Sequence, residues 1–142
     1  MIIKVKKLTE NARMPTRGTV GSFCFDVSST KRFLLSPMER VIVPTGLSFE
    51  MPEGVGIDVR PRSGLASRGL LILNSPGTLD NDYRGELKVA CMNLSSGNIL
   101  IDKGDRIAQI RPIFTLTRTE FEEVEELSET ERGDGGFGST GR

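Results

Sequence analysis

The carboxylates Asp80 and Asp82 are the first candidates for chemistry, because the chain contains no histidine. A general base must therefore be a carboxylate, a lysine, a tyrosine or a thiol. Both aspartates lie in GTLDNDYRGE (Gly77–Glu86), within a turn between two apolar stretches. Turn aspartates usually only hydrogen-bond their own backbone, but Tyr83, the only tyrosine of the chain, follows them directly. A rigid ring beside a carboxylate favours a site for a flat ligand, without excluding a simple turn.

Two further segments contain groups that suit a phosphate. In PRSGLA (Pro61–Ala66) a short helical turn begins at Ser63 beside Arg62, and its backbone N–H groups, hydroxyl and guanidinium could bind an anion. A capped helical turn with a surface arginine explains this segment equally well. In KGDRIAQI (Lys103–Ile110), Gln109 falls outside the apolar alternation of its neighbours, so its amide faces either solvent or a ligand.

The C-terminal segment RGDGGFGSTGR has the composition of a flexible tail, with five glycines around the isolated Phe137. Ordering about ten residues costs roughly 1–2 kcal/mol each, whereas one stack of a base on an aromatic ring returns only ~1–3 kcal/mol. Charge-assisted bonds from Arg132 and from Ser139-Thr140, about 1.5–3 kcal/mol apiece, would have to contribute as well. We therefore expect a tail that closes over a nucleoside triphosphate and stays loose over a monophosphate.

The elements that must position these groups are predicted to be short β-strands. Proline and glycine turns separate segments rich in branched residues, a pattern typical of a sandwich, jelly roll or barrel. The one helical signal is the turn that opens at Ser63 and ends before Gly69. The predicted strands are Ile2–Lys6, Arg40–Val43, Leu47–Met51, Gly56–Arg60, Leu70–Leu73, Glu86–Leu94, Asn98–Ile101 and Arg106–Thr117.

Composition limits the class of protein. The 142 residues fit one domain, and 37% hydrophobic and 27% charged residues are ordinary for a globular chain. A net charge of zero argues against a protein that coats nucleic acid. No stretch reaches the roughly 20 apolar residues that span a bilayer, and Cys24 and Cys91 are typical of small core residues in a reducing cytosol. We expect a cytoplasmic protein that binds neither nucleic acid nor membrane.

Taken together and in this order, PRSGLA, GTLDNDYRGE and RGDGGFGSTG resemble the motifs of the homotrimeric dUTP pyrophosphatase (dUTPase) family. A weaker match, GSFCFDV (Gly21–Val27), surrounds Asp26, so the resemblance spans almost the whole chain. It departs from the family at Cys24, where the usual motif, as in AGYD, has glycine. The resemblance implies a jelly-roll β barrel over residues 1–118 that forms a homotrimer. Residues 119–131 would be an acidic linker that could form an edge strand, and residues 132–142 a Gly-rich arm that closes over the site.

The resemblance also implies a reaction, the hydrolysis of dUTP to dUMP and pyrophosphate, which keeps uracil out of DNA and supplies dUMP for thymidylate synthesis. Asp80 would deprotonate a water that attacks the α-phosphorus in line, and Asp26 would hold a water of Mg²⁺ carried by the triphosphate. Each of three sites would combine the Asp80 segment of one chain, the Asp26, Ser63 and Gln109 segments of a second, and the tail of a third. The implied substrate contacts are Asn74, Thr78, Leu79 and Lys88 for uracil, Tyr83 for the sugar, Phe137 above the base, and Arg62, Ser63, Gly64, Gln109, Arg132, Gly138, Ser139 and Thr140 for the phosphates and closed tail.

Two alternatives share the fold. A dCTP deaminase has a similar arginine-serine phosphate loop, but its pattern lacks the Tyr83 platform and the RGxGGFGSTG tail. A nucleotide-gated regulatory protein on the same barrel is the alternative from a different class; the complete set of catalytic positions disfavours it.

Overall fold

The computed structural model describes residues 1–116 and 119–136. This part of the chain folds into antiparallel strands and one short helix. In chain order the elements are β1 (Lys4–Lys7), β2 (Phe25–Ser28), β3 (Phe33–Leu35), β4 (Arg40–Pro44), β5 (Leu47–Glu50), β6 (Val55–Pro61), α1 (Ser63–Ala66), β7 (Leu70–Ile72), β8 (Gly77–Leu79), β9 (Lys88–Asn93), β10 (Ile99–Ile101) and β11 (Arg106–Phe114).

The predicted all-β class is confirmed, and every predicted strand overlaps an observed one. Strands β2, β3 and β8 were not predicted as strands. Each has only three or four residues, and β8 contains a glycine, so their own sequences carry little strand signal. They are strands because a neighbouring strand supplies hydrogen bonds, as β6 does for β8 and β10 does for β3.

Four strands form the sheet that positions most of the candidate residues, in the order β2-β11-β6-β8. A second sheet has the order β4-β9-β7, and β1-β5 and β3-β10 form two pairs. Side chains alternate between the faces of a strand. Val59 and Ile57 of β6 and Ile110 of β11 point into the buried apolar core. The opposite face of the four-stranded sheet is polar.

Register aligns the polar residues of that face in rows. Gln109 of β11 is paired with Asp26 of β2 on one side and with Arg60 of β6 on the other. Asp58 is paired in the same way with Arg111 and with Thr78. Two predicted site residues, Asp26 and Gln109, are thus brought together from positions far apart in the sequence.

The described chain after the last strand is largely exposed. Residues 119–136 form neither helix nor strand, and residues 119–134 are exposed. An edge strand within residues 119–131 would need a partner strand, so it stays a prediction. In the described part of the chain, no helix has the length and hydrophobicity to traverse a membrane.

Candidate active site

The loop that carries Asp80 leaves the end of β8, which is the edge strand of the four-stranded sheet. Asp80 is exposed, and its carbonyl oxygen accepts a 3.1 Å hydrogen bond from the backbone N–H of Tyr83, which closes a tight turn. The guanidinium of Arg84 donates to the carbonyl oxygens of Asn81 and Tyr83 at 2.6 and 3.1 Å. The loop backbone is therefore internally bonded while the Asp80 carboxylate remains open to solvent.

One residue of β5 and one of the β4–β5 connection hold this loop in place. The Ser48 hydroxyl donates to the carbonyl oxygen of Arg84 at 2.6 Å, and the backbone N–H of Gly46 donates to Glu86 Oε1 at 2.8 Å. Gly46 has a φ of +68°, and a Cβ there would come within 2.9 Å of the side chains of Thr9 and Ala12. A glycine is needed at this position for both its backbone conformation and its lack of a side chain. The clamp makes the loop a rigid support.

A pocket of about 370 Å³ lies against this loop. Its volume is near the lower end of the range for small-molecule sites. Strands β8 and β9 supply part of its wall, and apolar side chains such as Val59, Ile72 and Val89 also line it. Six predicted substrate or catalytic residues line it together: Asn74, Thr78, Leu79, Asp80, Tyr83 and Lys88.

The remaining predicted residues of the barrel gather around Asp26 instead. Its buried carboxylate accepts hydrogen bonds from Arg62 Nε at 3.0 Å, from Arg106 at 2.9 Å and from Gln109 Nε2 at 3.3 Å. The Arg62 guanidinium also donates to the carbonyl oxygen of Arg106 at 2.9 Å. Two arginines against one carboxylate leave an excess of positive charge, which suits an anion such as a phosphate.

Helix α1 extends this cluster at its solvent side. Ser63 and Gly64 begin the helix and are exposed. The N-cap is Arg62, and it makes no side-chain cap hydrogen bond. Neither the Arg62 nor the Ser63 side chain is thus used to cap the helix, which weakens the purely structural explanation of this segment.

The two groups of residues are far apart within one chain. Leu79 pairs with Ile57, so Asp80 lies beside Gly56, near the beginning of β6, whereas Arg62 follows the end of that strand. Six residue steps at about 3.3 Å each separate Gly56 from Arg62, or roughly 20 Å. A base must lie within about 3 Å of the proton it takes. Asp80 and Arg62 of the same chain therefore cannot act on one phosphate group.

The fit of Mg²⁺ can be judged from Asp26. Among the described residues, no group of three or more potential metal-ligating side chains could hold a metal ion unaided. A carboxylate has about four lone-pair positions, and three hydrogen bonds already reach that of Asp26. Direct coordination would displace a guanidinium, but one open position fits a hydrogen bond from a metal-bound water.

The tail lies only partly within the described chain. Arg132 is exposed, and its Nε donates to the carbonyl oxygen of Gly135 at 2.9 Å. The predicted contacts Phe137, Gly138, Ser139 and Thr140 lie outside the described residues. Their roles stay predictions.

Sequence reasoning missed Arg106 as a partner of Asp26. It follows the turn at Gly104, in the segment that was singled out for Gln109. A register shift between Arg106 and Ala108 interrupts the pairing of β11 with β2. Such an irregularity changes the direction of a side chain, so the alternation of the sequence could not show that Arg106 would reach Asp26.

A larger cavity, about 670 Å³, lies elsewhere on the barrel. Phe23, Phe25, Phe49 and Phe114 form much of its wall. Among the described residues that line it there is no carboxylate or thiol. The smaller pocket beside Asp80 is therefore the better candidate for a catalytic site, because carboxylates line it.

The comparisons with known proteins all identify the same family. The model of the dUTPase family matches residues 10–141. Deoxyuridine 5'-triphosphate nucleotidohydrolases of Hydrogenobaculum sp. and Nautilia profundicola are 49% and 48% identical, and the matches cover 99% and 100% of both chains. A dUTPase variant of Staphylococcus bacteriophage 80alpha, solved with dUpNHpp, has a TM-score of 0.92 and 30% identity over 99% of both chains. A phage phi11 dUTPase described with a structural Mg(II) ion has a TM-score of 0.83 and 26% identity over 91% of this chain and 100% of its own. The predicted jelly-roll fold is confirmed by these likenesses.

Proposed function

The chain belongs to the dUTPase family, and on that premise we propose that it hydrolyses dUTP to dUMP and pyrophosphate. The observation that carries the proposal is the pocket in which Asp80 lies with Tyr83, Asn74 and the edge of β8. The reaction would keep uracil out of DNA and supply dUMP for thymidylate synthesis.

Recognition of uracil is supported by the free edge of β8. This strand pairs with β6 on one side only, so its other edge offers backbone N–H and C=O groups to a ligand. Uracil presents a donor N–H between two carbonyl acceptors, which a strand edge and one amide side chain can match. The Asn74 amide lies against Gly77, where a Cβ would come within 2.8 Å of Nδ2. The close packing supports exclusion of a pyrimidine with an added methyl group.

The sugar would lie on Tyr83, whose ring is about half exposed at the pocket. A flat ring makes close contact with the deoxyribose and leaves no room for a hydroxyl at the 2' position. Because the loop behind the ring is held by hydrogen bonds from Ser48 and Gly46, it cannot easily retreat to admit ribose.

The proposed reaction needs one base and much neutralisation of charge. Asp80 takes a proton from a water that attacks the α-phosphorus in line, which contributes about 10²–10⁴-fold. Arg62, Ser63, Gly64 and Gln109 orient the phosphates, and orientation is the main demand of such a transfer. Mg²⁺ carried by the triphosphate would supply further neutralisation of charge, and Asp26 would hold one of its waters.

The separation within one chain supports a shared site in a homotrimer. Since Asp80 and Arg62 of one chain are about 20 Å apart, a second copy would bring its Arg62 cluster to the Asp80 pocket of the first. The tail would come from the third copy. A heterologous interface of this kind closes into a ring of three when the rotation between copies is one third of a turn.

The experiment is a pyrophosphate-release assay with Mg²⁺ on dUTP, dTTP, dCTP and UTP. Release from dUTP alone is the expected outcome, and release of ammonia from dCTP would replace the proposal with a deaminase.

The same assay on Asp80→Asn tests the proposed base. Asp82→Asn is its matched control, because Asp82 is an exposed carboxylate of the same turn and does not line the pocket. A cytoplasmic location stays a prediction that is compatible with the two free cysteines.

A further inference from the structure

Gly85 lies directly under the ring of Tyr83. A Cβ built on Gly85 would overlap the phenol oxygen and Cζ of Tyr83 and would lie 2.9 Å from Cε2. The backbone of Gly85 is not in the left-handed region, so its conformation would accept an alanine. This position requires a residue without a side chain, because a Cβ would collide with the ring of Tyr83.

The ring has a second fixed contact on the same side. Its hydroxyl donates to the carbonyl oxygen of Glu86 at 3.2 Å. The backbone under the ring is itself held, because Ser48 bonds the carbonyl oxygen of Arg84 and the Glu86 side chain accepts the N–H of Gly46. One face of the ring therefore rests on a rigid backbone surface, and the pocket lies beside the rest of the side chain.

We propose that Gly85 is a specificity-determining residue that holds Tyr83 at the depth where the pocket accepts deoxyribose and rejects ribose. The group to be rejected is one hydroxyl, and a methyl group has nearly the same size. A single methyl group under the ring therefore displaces it by a distance similar to the size of the 2'-hydroxyl group that the pocket must reject. This inference rests on the proposed function, because it concerns the choice between dUTP and UTP at the same site.

The first test is the ratio of kcat/KM for dUTP to that for UTP in Gly85→Ala. The methyl group displaces the ring from the position that fits deoxyribose, so kcat/KM for dUTP falls more than the already low value for UTP, and we expect the ratio to fall at least about tenfold, the scale of discrimination by shape. Gly97→Ala is the matched control, since nothing lies within 4 Å of a Cβ at Gly97, and its ratio should equal that of the wild type. A folded Gly85→Ala protein with an unchanged ratio would overturn the proposal.

A double-mutant cycle separates this role from a general structural one. If Gly85 acts only through the ring, then Tyr83→Ala and Tyr83→Ala/Gly85→Ala must have the same dUTP-to-UTP ratio. The melting temperature lost in Gly85→Ala should also return in the double variant, because the clash is gone. A further fall in the ratio on adding Gly85→Ala to Tyr83→Ala would contradict the proposal.

A variant that keeps the ring covers the case in which Gly85→Ala does not fold. Tyr83→Phe removes only the bond to the Glu86 carbonyl and leaves the ring on Gly85, so we expect its ratio to stay within about twofold of the wild type. A loss as large as that of Tyr83→Ala would show that the hydroxyl, and not packing on Gly85, holds the ring.

Tyrosine fluorescence gives a readout that does not depend on turnover. The chain has one tyrosine and no tryptophan, so its emission under tyrosine excitation comes from Tyr83 alone. We expect a higher anisotropy in the wild type and in Gly97→Ala than in Gly85→Ala; equal values would refute the packing argument. If the wild type hydrolysed no dUTP, the proposed function would fail, while the anisotropy and melting temperatures would still test the contact.

Discussion

Mixing two inactive variants should restore activity if each site is shared between chains. Asp80→Asn removes the proposed base, and Arg62→Ala removes a proposed phosphate ligand. The two positions are about 20 Å apart in one chain, from the pairing of Leu79 with Ile57 and the course of β6. A shared site would take its Asp80 from one chain and its Arg62 from a neighbour, and each mutant chain still carries what the other lacks.

The expected recovery follows from random assembly. In an equal mixture, a site receives an intact Asp80 with probability one half and an intact Arg62 from the neighbouring chain with probability one half, so about one quarter of the sites are complete. Were each site built within one chain, no site would be complete. The difference between about a quarter and zero is far larger than the error of a rate measurement.

The assay refolds the two variants together from denaturant and measures pyrophosphate release from dUTP with Mg²⁺. Each variant refolded alone gives the background, and wild type refolded in the same way gives the scale. The matched control mixes wild type equally with the double variant Asp80→Asn/Arg62→Ala. Shared sites again give about one quarter of full activity, whereas sites within one chain give about one half. A mixture of the single variants that is no more active than its parents would refute the shared site.

Three other outcomes are expected. Asp80→Asn should lower kcat by about 10²–10⁴-fold while it binds dUpNHpp nearly as well as wild type in calorimetry; turnover at the level of Asp82→Asn would mean that another group is the base. Deletion of residues 132–142 should lower kcat/KM for dUTP at least about tenfold, because charge-assisted bonds are lost. The melting temperature should stay unchanged, because residues 119–134 are exposed and outside every strand; normal turnover would exclude a closing tail. Burial raises the pKa of the Cys91 thiol to about 11, so at pH 8 only about one part in a thousand of it is thiolate. A thiol reagent should therefore titrate one equivalent, Cys24, in the native protein and two in denaturant. Two fast equivalents in the native state would contradict this burial.

The sequence predicted the parts of the fold whose signal is local. Longer strands such as β6, β9 and β11 contain branched residues between proline and glycine turns, so they were recognised from their own segments. The turn at Ser63 was recognised in the same way from the glycine that follows it, and in the structure this Gly69 has a φ of +93°. Strand β8 has a weak local signal, and it became a strand through its pairing with β6.

The sequence by itself also determined which chemistry was available. The absence of histidine made carboxylates such as Asp80 and Asp82 the first candidates for a base, and the single tyrosine marked the platform beside them. These statements concern residue types and near neighbours, which do not depend on how the strands pair.

Only the tertiary structure decided which of these residues meet. Register places Gln109 between Asp26 and Arg60, and the shifted pairing of β11 brings Arg106 to the same carboxylate. The same sheet puts Asp80 at one end of β6 and Arg62 at the other, although they are close in the sequence. Strand pairing is a contact between distant segments, and a shift of one residue moves every side chain to the opposite face. For that reason neither the cluster around Asp26 nor its distance from Asp80 could be obtained without the folded chain.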